Sequence, residues 1–247
     1  MSSSSTDRYS RPLKTGLCLA LPMALIVLLL VFPPNTLDLA ISHQFYSAEL
    51  GFIDKHSYWL ENILHDRAKQ AVITLVVFAL LGLIASFFFK AWTWLRLPLG
   101  YIVLSVSICT AVITPLKVVT GVQCPWDLTE FGGKEAYSPL LSSRVPTTHP
   151  GKCWPAGHPS SGFVFFAVYF LFRDRRPGLA KAALAFAFIL GSVLSLGRIM
   201  QGAHFLSHTL WTALFDWLIA LGCYHFLLYR PKQNNPALAN KRITSLD

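Results

Sequence analysis

The sequence predicts an all-α, integral membrane fold, a six-helix bundle with loops gathered on its outer face, and three observations carry that reading. Hydrophobic residues make up 53% of the 247-residue chain and charged ones 13%, with a mean hydropathy of +0.49, more apolar than a soluble domain of this size needs. The apolar residues run in six stretches, most of them long enough to cross a hydrocarbon core that takes roughly 20 helical residues. The basic residues cluster at the ends and at alternate loops, as they do when Lys and Arg are retained on the cytoplasmic side.

The first stretch, residues 13–32, runs into Phe32-Pro33-Pro34 without a small-residue cleavage site, so it is expected to stay as an anchoring helix. Residues 33–70 then form an outer segment in which Trp59, Leu60, Ile63 and Leu64 fall at helical spacing. That spacing predicts an amphipathic helix, lying on the membrane surface or packed on the bundle. Spans follow at 71–89 and 99–116. The fourth, 157–172, is short and requires a helix start near His158. The last two are 182–200 and 205–229. No repeat or interdomain linker interrupts residues 13–230, which read as one membrane domain between a flexible N-terminus (1–12) and a polar tail (231–247).

Thirteen of the 21 basic residues (Arg8, Arg11, Lys14, Lys90, Arg96, Arg173, Arg175, Arg176, Lys181, Arg230, Lys232, Lys241 and Arg242) fall on one side. The other side carries Lys55, Arg67, Lys69, Lys117, Lys134, Arg144, Lys152 and Arg198, offset by Asp38, Glu49, Asp54, Glu61, Asp66, Asp127, Glu130 and Glu135. Both termini are therefore expected in the cytoplasm. The net charge of +9 is then a topology signal, and without a basic-aromatic motif it does not point to nucleic acid.

The concentrated polar chemistry lies on the outer side in three places: KVVTGVQCPWDL from Lys117, PAGH from Pro155 to His158, and GRIMQGAHFLSH from Gly197 to His208. With short loops, the bundle brings the ends of spans three to six together, so Lys117, His158, Arg198 and His204 are expected to share a pocket. Two cations and two imidazoles make an anion site that also holds a nucleophile and an acid. Pro159 suits the first position of a helix, which places His158 where free N–H groups and the helix dipole favour phosphate.

These motifs resemble the type 2 phosphatidic acid phosphatase superfamily of lipid phosphate phosphatases. Its pattern is Lys-x6-Arg-Pro, Pro-Ser-Gly-His and Ser-Arg-x5-His-x3-Asp. The chain has Lys117-x6-Cys124-Pro125, Pro155-Ala156-Gly157-His158 and Gly197-Arg198-x5-His204-x3-His208, in the same order and spacing. The resemblance implies a hydrolase acting on a lipid phosphate monoester or diphosphate at the periplasmic face of a bacterial inner membrane. In it His204 attacks phosphorus to form a phosphohistidine, and His158 protonates the leaving alcohol and then activates water. Lys117, Arg198 and the Gly157 amide hold the phosphoryl oxygens, with no metal or other cofactor. A phosphotransferase, in which a second lipid replaces water, fits the same residues.

Four positions depart from the pattern. Ala156 and Gly197 each lack a hydroxyl. Cys124 replaces a phosphate-binding Arg, for which Arg144 and Lys152 of the same loop are the candidate substitutes. His208 replaces the Asp that orients the nucleophile. His208 still shares a helix face with His204 but brings no negative charge, and Asp127 is the candidate stand-in. Of the five cysteines, Cys18, Cys109 and Cys223 lie in spans, whereas Cys124 and Cys153 fall on the outer side, where an oxidising compartment favours a disulfide. Closing a loop of about 30 residues stabilises by roughly 3 to 4 kcal/mol in the chain-entropy account. Two other classes use other residues. Asp216 in the sixth span invites a transporter or flippase, and Cys124, His149, Cys153 and His158 invite a zinc site.

Overall fold

The computed structural model describes residues 15–52, 55, 57–60 and 66–230. The expected N-terminal arm, the polar tail, and Ile63 and Leu64 of the expected surface helix lie outside the described residues. Within them, each apolar stretch is helical: α1 (Thr15–Val31), α3 (Ala68–Phe88), α4 (Arg96–Thr120), the pair α5 (Gly157–Phe163) and α6 (Phe166–Phe172), α7 (Pro177–Met200) and α8 (Leu206–Leu227). The nine-residue α2 (Asn35–His43) follows α1 after a bend of 85°. Four helices, α3, α4, α7 and α8, are long and apolar enough to cross a membrane by themselves, and α1 with α2 makes a fifth if the bent pair is one span. The chain is thus an all-α membrane protein, with one two-stranded antiparallel ladder, β1 (Tyr46–Ser47) with β2 (Gly51–Phe52).

The fourth apolar stretch is the shortest, and its position is set by glycine. A Cβ on Gly162 would sit 2.3 Å from the backbone nitrogen of Gly191, so α5 and α7 meet backbone to backbone. Close approach at small residues is how helices associate where lipid removes the hydrophobic drive. Four residues before Gly162 lies His158, and seven after Gly191 lies Arg198, so this contact fixes the two side chains relative to each other.

The interior is built by α4, α5, α6, α7 and α8, where Tyr101, Phe163, Phe166, Phe170, Ala187 and Tyr224 form one buried cluster. The Tyr101 hydroxyl donates to the Ala220 carbonyl (3.1 Å), joining α4 to α8. On the flank, the Trp217 indole N–H donates to the Cys18 carbonyl (2.9 Å), joining α8 to α1. Asp216 faces inward, fully buried, with Ser160 and Cys109 beside it, as an intramembrane carboxyl must.

At one end of the bundle α2, the β1–β2 ladder and residues 121–156 pack over the turn between α7 and α8. Phe52, Leu128, Phe131 and Phe205 make a second apolar cluster there. The Cys124–Cys153 disulfide, separated by 29 positions with Cα atoms 5.2 Å apart, is present. Lys90–Arg96 and Arg173–Arg176 lie at the other end, where Arg96 donates to the Ser86 carbonyl and Arg173 to the Tyr224 hydroxyl.

Candidate active site

Four elements deliver the four expected side chains to the capped end. Lys117 sits in the last turn of α4, and its Nζ comes within 3.0 Å of where a Cβ on Gly157 would lie. Gly157 opens α5 and His158 follows it, so the helix starts two residues before Pro159 rather than on it. Arg198 is in the last turn of α7. Its guanidinium lies 5.6 Å from the centre of the Trp126 ring and donates to Gln201 Oε1 at 2.8 Å, two contacts that hold it in place.

His204 occupies the turn from α7 to α8. That turn needs Gly202, whose φ of +72° lies in the left-handed region and where a Cβ would run into the Phe52 ring. The Gly202 carbonyl accepts from the Trp126 N–H (2.9 Å), and the Ala203 N–H donates to the Arg198 carbonyl (2.9 Å). Cys153 Sγ lies 3.1 Å from the Ala203 carbonyl oxygen, so the disulfide is packed directly against the turn that carries His204.

His204 is 3% exposed, and its Nδ1 has no hydrogen-bond partner among the described residues. Its pKa is driven well below the ordinary histidine value, first by burial and then by Lys117, His208, Arg198 and His158. The imidazole is therefore neutral at neutral pH, the form that has a lone pair to donate. The Lys117, Arg198 and His158 side chains all lie within electrostatic reach of His204, and Lys117 and Arg198 of each other. A small cleft lined by Leu60, Lys69, Ser161, Leu194 and Gly197 borders His158 and Arg198.

The family profile described as the PAP2 superfamily matches residues 96–232, more than half of the chain. The chain belongs to the PAP2 superfamily. It is also similar to the lipid A 4'-phosphatase of Francisella tularensis subsp. novicida (strain U112), with 25% identity over 84% of this chain and 92% of that protein. No solved structure matches the chain.

The remaining expected residues are placed less favourably around this PAP2 site. His208 lies in the first turn of α8, its ring 6.1 Å from that of His204 and 5% exposed. Its ring faces the Cys153 carbonyl, so it lies against the disulfide loop as well as beside His204. Arg144 donates to the carbonyls of Thr120, Pro139 and Leu140. Its guanidinium is spent on holding the loop. Lys152 is exposed. Asp127 accepts from the Trp126 indole (3.1 Å) and has Lys55 and Glu135 as charged neighbours, which places its carboxylate behind Trp126. The zinc set does not survive, because Cys124 and Cys153 are bonded to each other.

Sequence reasoning missed Trp126, Gln201, Lys69 and Leu60 as walls and supports. Gln201 lies inside the third motif and Trp126 directly follows the first, so proximity to the motifs was their one signal. Lys69 and Leu60 sit in no motif. A larger cavity of about 310 Å³ lies on the far side of His208, between α1, α4 and residues 121–150. Lys117, His158, Arg198 and His204 are absent from its walls.

Proposed function

We propose that the protein is a lipid phosphatase that cleaves a phosphate monoester or diphosphate from a lipid headgroup at the periplasmic face of a bacterial inner membrane, both termini being cytoplasmic. The observation that carries the reading is the meeting of Lys117, His158, Arg198 and a neutral, buried His204 from four separate elements at one end of a membrane bundle.

The phosphoryl group sits between the Lys117 ammonium, the Arg198 guanidinium and the Gly157 N–H, which take up the charge on its non-bridging oxygens. His204 donates its ring-nitrogen lone pair to phosphorus. As that N–P bond forms, the bond from phosphorus to the lipid oxygen breaks, and His158 gives its proton to the departing oxygen. A water then enters and His158, now neutral, takes its proton. The water oxygen attacks phosphorus, the N–P bond breaks, and inorganic phosphate leaves with His204 restored. Fixed cations and N–H groups supply the charge stabilisation that a metal provides elsewhere, so metal-independent turnover is part of the proposal.

The bundle holds this site at interfacial depth, where a phosphorylated headgroup reaches it while its acyl or prenyl chains stay in lipid. The similarity to a lipid A 4'-phosphatase favours a phosphate carried on a lipid A-type headgroup. The purified protein is expected to release inorganic phosphate, in excess chelator, from at least one of lipid A, a prenyl diphosphate, phosphatidylglycerol phosphate and phosphatidic acid, with lipid A first. Failure to release phosphate from any of the four would overturn the assignment.

A further inference from the structure

The nucleophile of a PAP2 site is normally steadied by a carboxylate four residues on, and here that position is His208. Lys117, His208, Arg198 and His158 act on His204, and the residue at position 208 brings it no negative charge. A carboxylate does reach this turn, one step removed and from the opposite end of the sequence. Asp38 of α2, 3% exposed, accepts the backbone N–H of Ser207 through Oδ1 (2.9 Å) and the Ser207 hydroxyl through Oδ2.

Ser207 is the second residue of α8, and the residue before that helix is Phe205, which has no side-chain cap to offer. The first N–H groups of a helix have no partner within it and are ordinarily met by a Ser, Thr, Asp or Asn at the cap. Asp38 fills that role from 169 positions away. Its helix is in turn tied to the outer loop by Asn35 Oδ1, which accepts from the Tyr137 hydroxyl (2.9 Å).

We propose that Asp38 is a positioning residue for the reaction: by capping the first turn of α8 in trans it fixes the turn that presents His204, taking over part of the restraint that a carboxylate at position 208 would give. His204 is three residues ahead of Ser207, with only Phe205 and Leu206 between. Its other side is anchored by the Ala203 N–H on Arg198 and by Trp126 on Gly202. Releasing Ser207 removes the polar restraint on the first turn of α8, leaving that side of the imidazole to the packing of Phe205 and the contacts of His208 with the disulfide loop. The α1–α2 segment precedes the PAP2 match, which begins at residue 96, so on this proposal a segment outside the matched region supports the site.

The inference rests on the phosphatase reading, and the test separates the two. Asp38→Ala, Asp38→Asn and Ser207→Ala are compared with wild type for kcat, KM, thermal midpoint and amide hydrogen exchange over residues 204–209. Asp38→Ala is expected to lower kcat about 10- to 100-fold, in line with a small displacement of a reacting group, with KM within threefold and the midpoint little changed. Asp38→Asn keeps one acceptor and is expected to restore most of kcat. Exchange over 204–209 rises in Asp38→Ala and not elsewhere. Should Asp38→Ala fail to fold, Ser207→Ala, which removes one of the two bonds, carries the same comparison with a smaller fall. A kcat within threefold of wild type in Asp38→Ala, with unchanged exchange at 204–209, overturns the inference while the phosphatase reading stands. Raised exchange in a protein whose wild type releases no phosphate supports the restraint and sinks the activity.

Discussion

His204→Ala is expected to reduce kcat/KM for lipid phosphate hydrolysis about 10,000-fold or more, the scale on which loss of a covalent nucleophile is felt, equivalent to about 5.5 kcal/mol of transition-state stabilisation. The variant is well suited to the test because Nδ1 of the buried imidazole has no hydrogen-bond partner among the described residues, so its removal strands no partner of that nitrogen. The protein should fold, retain its Cys124–Cys153 disulfide and still bind inorganic phosphate through Lys117 and Arg198. What it loses is the lone pair. Phosphate release at more than about one-tenth of the wild-type rate would mean that some other group attacks phosphorus.

Arg198→Ala is the second large effect, with an expected fall in kcat/KM of about 100- to 1,000-fold, the range found when a preorganised donor to a developing oxyanion is removed. The upper part of that range is expected for a specific reason. The superfamily pattern has two arginines at the phosphate, and Cys124 has taken the place of one. Arg144 does not replace it, its guanidinium being held by the carbonyls of Thr120, Pro139 and Leu140. Arg198→Lys keeps the charge but loses the planar fork and the stacking over Trp126, so it should recover only part of the activity. Steady-state kinetics with phosphate as a competing inhibitor check both points. Inhibition constants that do not weaken in Arg198→Ala would place the phosphate elsewhere.

Much of this architecture could be read from the chain itself. The apolar stretches became helices close to their expected limits because lipid leaves the backbone few alternatives: each N–H and C=O must be satisfied within its own segment. Arg198 and His204 come together across the short α7–α8 turn, whereas Lys117 and His158 are joined by the long 121–156 segment, whose two ends the Cys124–Cys153 disulfide ties together. The disulfide was legible because two cysteines fell on the outer side and three within spans.

What escaped was of two kinds. Contacts across long sequence separations leave no local pattern, and Asp38 with Ser207, 169 residues apart, is the leading case; its charge read only as an entry in the topology balance. Side chains with more than one available partner also misled. Arg144 and Asp127 carried the right charges to repair the departures at Cys124 and His208. Their polar groups instead meet nearer partners, loop carbonyls for the one and the Trp126 indole for the other, and buried or half-buried polar atoms take the partners closest to hand.

The most direct measurement is the trapping of the covalent intermediate. Wild-type protein mixed with a lipid phosphate carrying radiolabelled phosphorus, quenched in alkali within a fraction of a turnover and cleaved into peptides, is predicted to carry the label on the peptide containing His204. The bond should be stable to base and labile to acid. Label on any other residue of an enzyme that is turning over, or its absence from the protein throughout the first turnover, would contradict the account.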